Sequence, residues 1–148
     1  MPPNIETLAL AVAHREAGAA LVLARAHAQA LASDIAWLDA YASELGVVAA
    51  ASPTICVTTE LARVSRCRAE LAMHAARGHA ATTSTVAAAA MYAATLHWVA
   101  HGDARGDADV VTAATAAAVA ATAAAADFYA ATAFYLSVVA TTEHVACV

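Results

Sequence analysis

A single heptad pattern runs through the first third of the chain and constrains the fold more than any other feature. Apolar or small residues recur at alternating steps of four and three positions, which places them along one side of an α-helix. We call such a line a seam, because a 3.5-residue repeat is the contact line of a long helix packed lengthwise on another helix. This seam comprises Leu10, His14, Ala17, Leu21, Ala24, Ala28, Leu31, Ile35, Leu38, Ala42 and Leu45.

A second seam of the same kind occupies the C-terminal part of the chain. Most of its members are alanine, and alanine at both seam positions lets two helices approach more closely than leucine does. We therefore expect this half of the chain to press tightly on a neighbouring helix. The second seam comprises Val110, Ala114, Ala117, Ala121, Ala124, Phe128, Ala131, Tyr135 and Val138.

Start and stop signals divide the chain into four predicted helices. The first runs from the N-cap residue Asn4 to Leu45 or a little beyond. The second begins at Ser52 and Pro53 and ends at Gly78, a residue type that accepts a left-handed C-cap.

The third predicted helix begins in the hydroxyl-rich cluster at 82–85, which is good N-cap material, and ends at Gly102. The fourth extends from about Ala108 to near Val145. The sequence therefore predicts an all-α, antiparallel four-helix bundle with long first and last helices, shorter middle helices and no β-sheet. At this length we expect one domain, spanning residues 1–148.

Composition limits the classes of partner. The chain is 62% hydrophobic, but 49 of its residues are alanine, which contributes little transfer free energy and much helix propensity. A membrane partner is therefore not expected, even though residues 110–126 carry no charge. The net charge is −5 and no basic stripe occurs, so nucleic acid is not an expected partner. Residues 1–6 lack the features of a secretory signal, and we expect a cytoplasmic protein.

The three cysteines fit that expectation. Cys56 and Cys67 are eleven residues apart on one predicted helix, about 16 Å at 1.5 Å per residue, which is too far for a disulfide between them. Cys147 could link two chains, but a free thiol is the favoured interpretation.

Four polar residues fall at one level when the four predicted helices are stacked antiparallel. His27, Glu70, His74 and Asp127 then form a candidate buried polar layer, since a buried Asp127 would need a partner. In the alternative, Asp127 faces water, and Glu70 and His74 belong to a solvated helix face. We favour the solvated arrangement.

His97 and His101 have the four-residue spacing that puts two imidazoles on one helix face, as in many zinc or iron sites. Trp98 stands where a zinc protease has its glutamate, and the further ligands of di-iron bundles have no counterpart. We favour two histidines near a helix C-terminus, where the helix dipole stabilises positive charge. We assign no catalytic, cofactor-binding or metal-binding residue.

The first predicted helix is about 60 Å long and the second about 39 Å, so the outer helices should project as a two-helix arm. We expect this arm to be an interface, formed by Leu8, Leu10, Val12, Phe134, Tyr135, Leu136, Val138 and Val139. The sequence favours a non-catalytic structural protein that self-associates as a homodimer or larger oligomer, or docks on another helical protein. The alternative is a helical-bundle metal-binding or redox protein.

Overall fold

The structure is a computed structural model that describes residues 5–101 and 108–145, with the side chains of 5–7, 9–10, 13–14, 99–101 and 108 left aside. Over these residues the chain forms three α-helices: α1 (Ile5–Ala51), α2 (Thr58–His101) and α3 (Ala108–Thr142). The described residues contain no strand. The all-α prediction is confirmed, whereas the four-helix prediction is wrong because the two middle helices are one. The predicted loop at 102–107, Asn4 and Cys147 lie outside the described residues.

The helix α2 continues through the hydroxyl-rich cluster because these side chains bond to the preceding helical turn. Thr82 Oγ1 donates to the carbonyl of Gly78 at 2.8 Å, and Thr85 Oγ1 donates to the carbonyl of Ala81 at 3.0 Å. Thr83 makes the same bond to His79 at 3.0 Å. Hydroxyls bonded in this way need no helix N-terminus. The helix end predicted at Gly78 is therefore wrong.

The connection between α1 and α2 lies further along the chain than the sequence predicts. Gly46 lies inside α1, which continues to Ala51, and α2 begins at Thr58 rather than at Ser52. The amide of Ser52 still donates to the carbonyl of Val48 at 2.9 Å, and the amide of Ile55 donates to Ser52 at 3.0 Å. These bonds close a compact turn that reverses the chain between two long helices.

The helix α2 lies between the other two. It packs against both α1 and α3, whereas α1 and α3 barely touch each other. Contacts of Tyr41 with Glu60 and of Asp39 with Arg68 show that α1 and α2 run antiparallel. The helix α3 returns along the other side of α2, and its last residue, Thr142, accepts a hydrogen bond from Arg66. The three helices therefore form one open layer.

Both predicted seams face α2. In α1, Leu31 is buried and the other seam residues with described side chains are half-buried, except Ala28, which is exposed. In α3, Ala114 and Ala124 are buried and every other seam residue is half-buried. The heptad pattern thus located the helix contacts correctly even though the number of helices was wrong.

The hydrophobic core is thin. No large side chain among the described residues is fully buried. A layer of three helices has no second layer to close over it, and alanine contributes little buried area per residue. The buried hydrophobic residues of the described chain are Leu31, Val64, Ala69, Ala87, Ala114 and Ala124.

Candidate functional site

A small polar cluster joins α1 to the start of α2. Tyr41 Oη donates a 3.1 Å hydrogen bond to Glu60 Oε1, which is also 3.4 Å from Arg63 Nη2. The Trp37 ring stacks on Tyr41 with ring centroids 5.4 Å apart. The hydrogen bond to the Glu60 carboxylate stabilises the protonated phenol and so raises the pKa of Tyr41 above 10. A phenol held in its neutral form is suited to fixing the helix register.

An ion pair lies nearby on the same interface. Arg68 donates from Nε to Asp39 Oδ1 at 2.5 Å and from Nη2 to Asp39 Oδ2 at 3.4 Å. The bond to Asp39 raises the pKa of Arg68 above its ordinary value. Both side chains are about half exposed, so the pair stabilises the fold by no more than about 1 kcal/mol. Because Arg68 contacts both carboxylate oxygens of Asp39, the pair favours one register of α1 along α2.

The candidate polar layer is not buried. His27 and His74 line one groove of about 380 Å³ between α1 and α2, and His74 Nε2 is 3.8 Å from Glu70 Oε1. His27, Glu70 and Asp127 are exposed, and His74 is half-buried. Because α3 turns Asp127 toward water, this carboxylate needs no buried partner. The solvated arrangement favoured from the sequence is the one observed.

The described residues include no group of three or more His, Cys, Asp or Glu placed to hold a metal ion. His97 is half-buried on α2, and the side chain of His101 lies outside the described residues. A metal-binding or redox function thus rests on the spacing of this pair alone, and it stays a prediction.

The predicted two-helix arm is not assembled. Thr142 lies beside Arg66, so the end of α3 runs along the first third of α2, whereas the start of α1 runs along its far end. At 1.5 Å per residue, Leu8 is about 30 Å from Phe134 along the layer. A fourth helix would have reversed the chain once more and brought these ends together. The predicted interface residues differ in exposure. Those exposed to water are Leu8, Val12, Phe134 and Leu136, and those half-buried are Tyr135, Val138 and Val139. The side chain of Leu10 is not among those described.

The side of α3 turned away from α2 carries a regular, uncharged and mostly apolar line, of which the predicted interface included only Leu136. We call it the outer stripe; its residues are Val119, Thr122, Ala126, Tyr129, Ala133 and Leu136, and all six are exposed. Each stripe residue is two positions from a seam residue, about 200° around the helix at 3.6 residues per turn. The stripe therefore lies opposite the seam. Its large members keep most of their surface in water: 63% for Val119, 72% for Tyr129 and 59% for Leu136.

The outer stripe could have been found in the sequence. Its members follow the same alternation of three and four steps as the seam, and none carries a charge. A helix with one buried face usually places charged residues on the opposite face. The missing charges on this side of α3 are the signal that was overlooked.

The same helix is long and apolar enough to cross a membrane by length and composition, and it is the one such helix among the described residues. This span, Asp109–Thr142, reaches a mean hydropathy of 1.5. Asp127 lies near its middle, where an aspartate costs about 2.5–3.5 kcal/mol on insertion. Alanine and threonine offer little to offset that cost. The length and composition of α3 alone therefore do not show that it spans a membrane.

The cysteines differ from one another in state. Cys56 lies in the connection before α2 and is disulfide-bonded, whereas Cys67 is a free, exposed thiol on α2. The prediction that these two cysteines do not pair with each other is confirmed. The placement of both on one helix is wrong, because α2 begins after Cys56.

We compared the chain with protein-family models, with curated proteins and with solved structures, and it matches none of them.

Proposed function

We propose that this chain is a non-catalytic interaction protein that assembles with other helices, its own copies first, through its long alanine-rich helices. The accessible surface supports this proposal most strongly. The chain exposes 9992 Å², whereas a folded monomer of 14.9 kDa exposes about 7,000 Å² by the usual scaling with mass. The excess, about 3,000 Å², is as large as a whole protein–protein interface.

The kind of surface exposed supports the same conclusion. Aromatic and branched side chains, which contribute most to protein interfaces, lie in water on all three helices. Trp37 on α1, Trp98 on α2 and Tyr129 on α3 are each more than half exposed. Isolated exposed apolar residues are common, but a thin core combined with exposed aromatics is typical of a chain that folds fully with a partner.

The grooves offer little to a small substrate. Those described between α1 and α2 measure about 130 to 440 Å³ and are open to solvent, although polar side chains such as Glu60, Arg63 and His74 line some of them. A site for a small molecule is usually enclosed and carries a few placed polar groups. This geometry favours binding of another helix over catalysis.

The experiment is thermal unfolding of the full chain by circular dichroism, from about 0.1 to 50 μM. If association completes the fold, the melting temperature rises with concentration, by mass action. A dilute chain that melts at low temperature also supports a need for partners. The proposal fails if every concentration gives one cooperative transition at the same temperature above about 65 °C, because such a chain is fully stable alone.

A further inference from the structure

We infer that the outer stripe of α3 pairs two copies of this chain, with their α3 helices side by side and antiparallel. The inference deepens the proposed function and rests on it, because it names the surface and the partner that the function requires.

The area decides the kind of partner. Homodimers with obligate interfaces bury about 2,000–5,000 Å² in total, which is about 1,000–2,500 Å² from each chain. The excess surface of this chain is about 3,000 Å². A second copy paired along α3 can cover part of that excess, whereas a peptide or a small ligand would leave nearly all of it in water.

The spacing of the stripe is compatible with an antiparallel orientation. From Val119 to Leu136 the steps are three, four, three, four and three residues, and this series is the same in both directions. A two-fold axis midway between Ala126 and Tyr129 therefore sets the stripe on its own image. Closed two-fold pairing of one surface with itself is the commonest arrangement of protein oligomers.

Side-chain size fits the antiparallel arrangement. Across the axis, Tyr129 faces Ala126 of the second copy, and Leu136 faces Val119. Large residues thus meet smaller ones, as knobs meet holes in packed helices. A parallel, in-register pair would instead place tyrosine on tyrosine and alanine on alanine, leaving a clash beside a gap.

Charge favours this face over the rest of the surface. The chain carries a net charge of −5, so two copies repel each other where charged faces meet. The outer stripe carries no charge, and Asp127 lies beside it on an exposed flank. The outward side of α1 is also uncharged between residues 26 and 36, but two polar residues, Gln29 and Ser33, interrupt its apolar residues. The outer stripe has one polar residue, Thr122, whose hydroxyl donates to the carbonyl of Ala118 in its own helix at 3.0 Å.

The test exchanges charges across the expected axis. Val119→Glu and Leu136→Arg are made singly and together, and Val22→Arg on the exposed side of α1 is the matched control. Sedimentation equilibrium gives the dimer dissociation constant, and circular dichroism checks that each variant keeps its helix content. Both stripe residues point away from α2, so neither contributes to the helix contacts within one chain. If one single variant loses helix content, the other serves in its place.

We expect each single stripe variant to weaken the dimer at least about 10-fold, and Val22→Arg to change it less than about 2-fold. The double variant should dimerise about 10-fold more tightly than Leu136→Arg, because the introduced carboxylate of each copy then faces the introduced guanidinium of the other. In a parallel pair each introduced charge would face the same charge on the other copy, so the double variant would not recover dimer affinity. Absence of recovery therefore overturns the antiparallel pairing.

Other outcomes separate this inference from the proposed function. The chain could associate with a dissociation constant that Val22→Arg raises and Leu136→Arg leaves unchanged. That result would overturn the outer stripe as the interface but would remain consistent with the proposed function. A monomer that melts at low temperature also overturns the second copy as the partner, while the need for some partner remains. Flotation with phosphatidylcholine vesicles that is lost in Leu136→Arg would assign the stripe to lipid and overturn the inference.

Discussion

Substitution of Gly78 by alanine should stabilise the protein, and the size of the effect follows from the local geometry. The residue lies inside α2 with helical backbone angles, so a side chain meets no conformational strain. A Cβ there would be 3.9 Å from His27 Cδ2, an ordinary van der Waals distance. Replacing glycine by alanine inside a helix gains about 0.8–1 kcal/mol, and we expect about 1 kcal/mol in total.

The assay is thermal or urea unfolding at one fixed protein concentration, with helix content followed by circular dichroism. A gain of about 1 kcal/mol raises the melting temperature of a chain this size by about 3 °C. Gly46→Ala is the matched control, because a Cβ at Gly46 meets open space inside α1. If Gly46→Ala stabilises the protein and Gly78→Ala destabilises it by about 1 kcal/mol, Gly78 has a left-handed backbone and α2 is broken there.

Three further predictions concern other residues of α1, of α2 and of the turn between them. Leu38→Asp should lower the free energy of unfolding by about 2–4 kcal/mol, because it puts a charge on the α1 seam. Leu38→Met is the control. An unchanged urea midpoint in Leu38→Asp would show that the seam is misplaced. Without reductant, iodoacetamide should modify Cys67 and should leave Cys56 unmodified until the disulfide is reduced. Alkylation of Cys56 without reductant would show a free thiol there and contradict the disulfide. Because disulfides are rare in the cytosol, that result would favour the predicted cytoplasmic location. In an ultraviolet titration, the ionisation step of one tyrosine should occur above pH 10, and this step should be absent in Tyr41→Phe. Because the pKa of Tyr41 is raised in the folded chain, the stability gained from its bond to Glu60 is full below pH 10. That stability is lost as the pH rises through the raised pKa.

The seams could be predicted from sequence because they depend on one physical requirement. A side chain that packs between helices must recur every 3.5 residues, whatever the number of helices. Ala114, Ala124 and Leu31 were placed by this rule and are buried. Asp127 was also judged correctly, since a carboxylate without an evident partner is most stable in water.

The middle of the chain could not be predicted because local signals there have two meanings. Glycine ends helices, but Gly78 is tolerated inside α2, where the backbone bonds of a long packed helix outweigh its propensity. Threonine caps helices, but Thr82 and Thr85 bond the preceding turn instead. Because the prediction ended a helix at Gly78, it reversed the chain direction one time too many. It therefore placed Phe134 at the same end of the molecule as Leu8.

Sedimentation equilibrium of the wild-type chain, from about 1 to 100 μM, tests the central claim most directly. We expect a mass approaching twice 14.9 kDa as concentration rises, since a second copy covers the outer stripe of α3. A mass of 14.9 kDa at every concentration, from a chain that keeps full helix content and melts at one fixed high temperature, would contradict it.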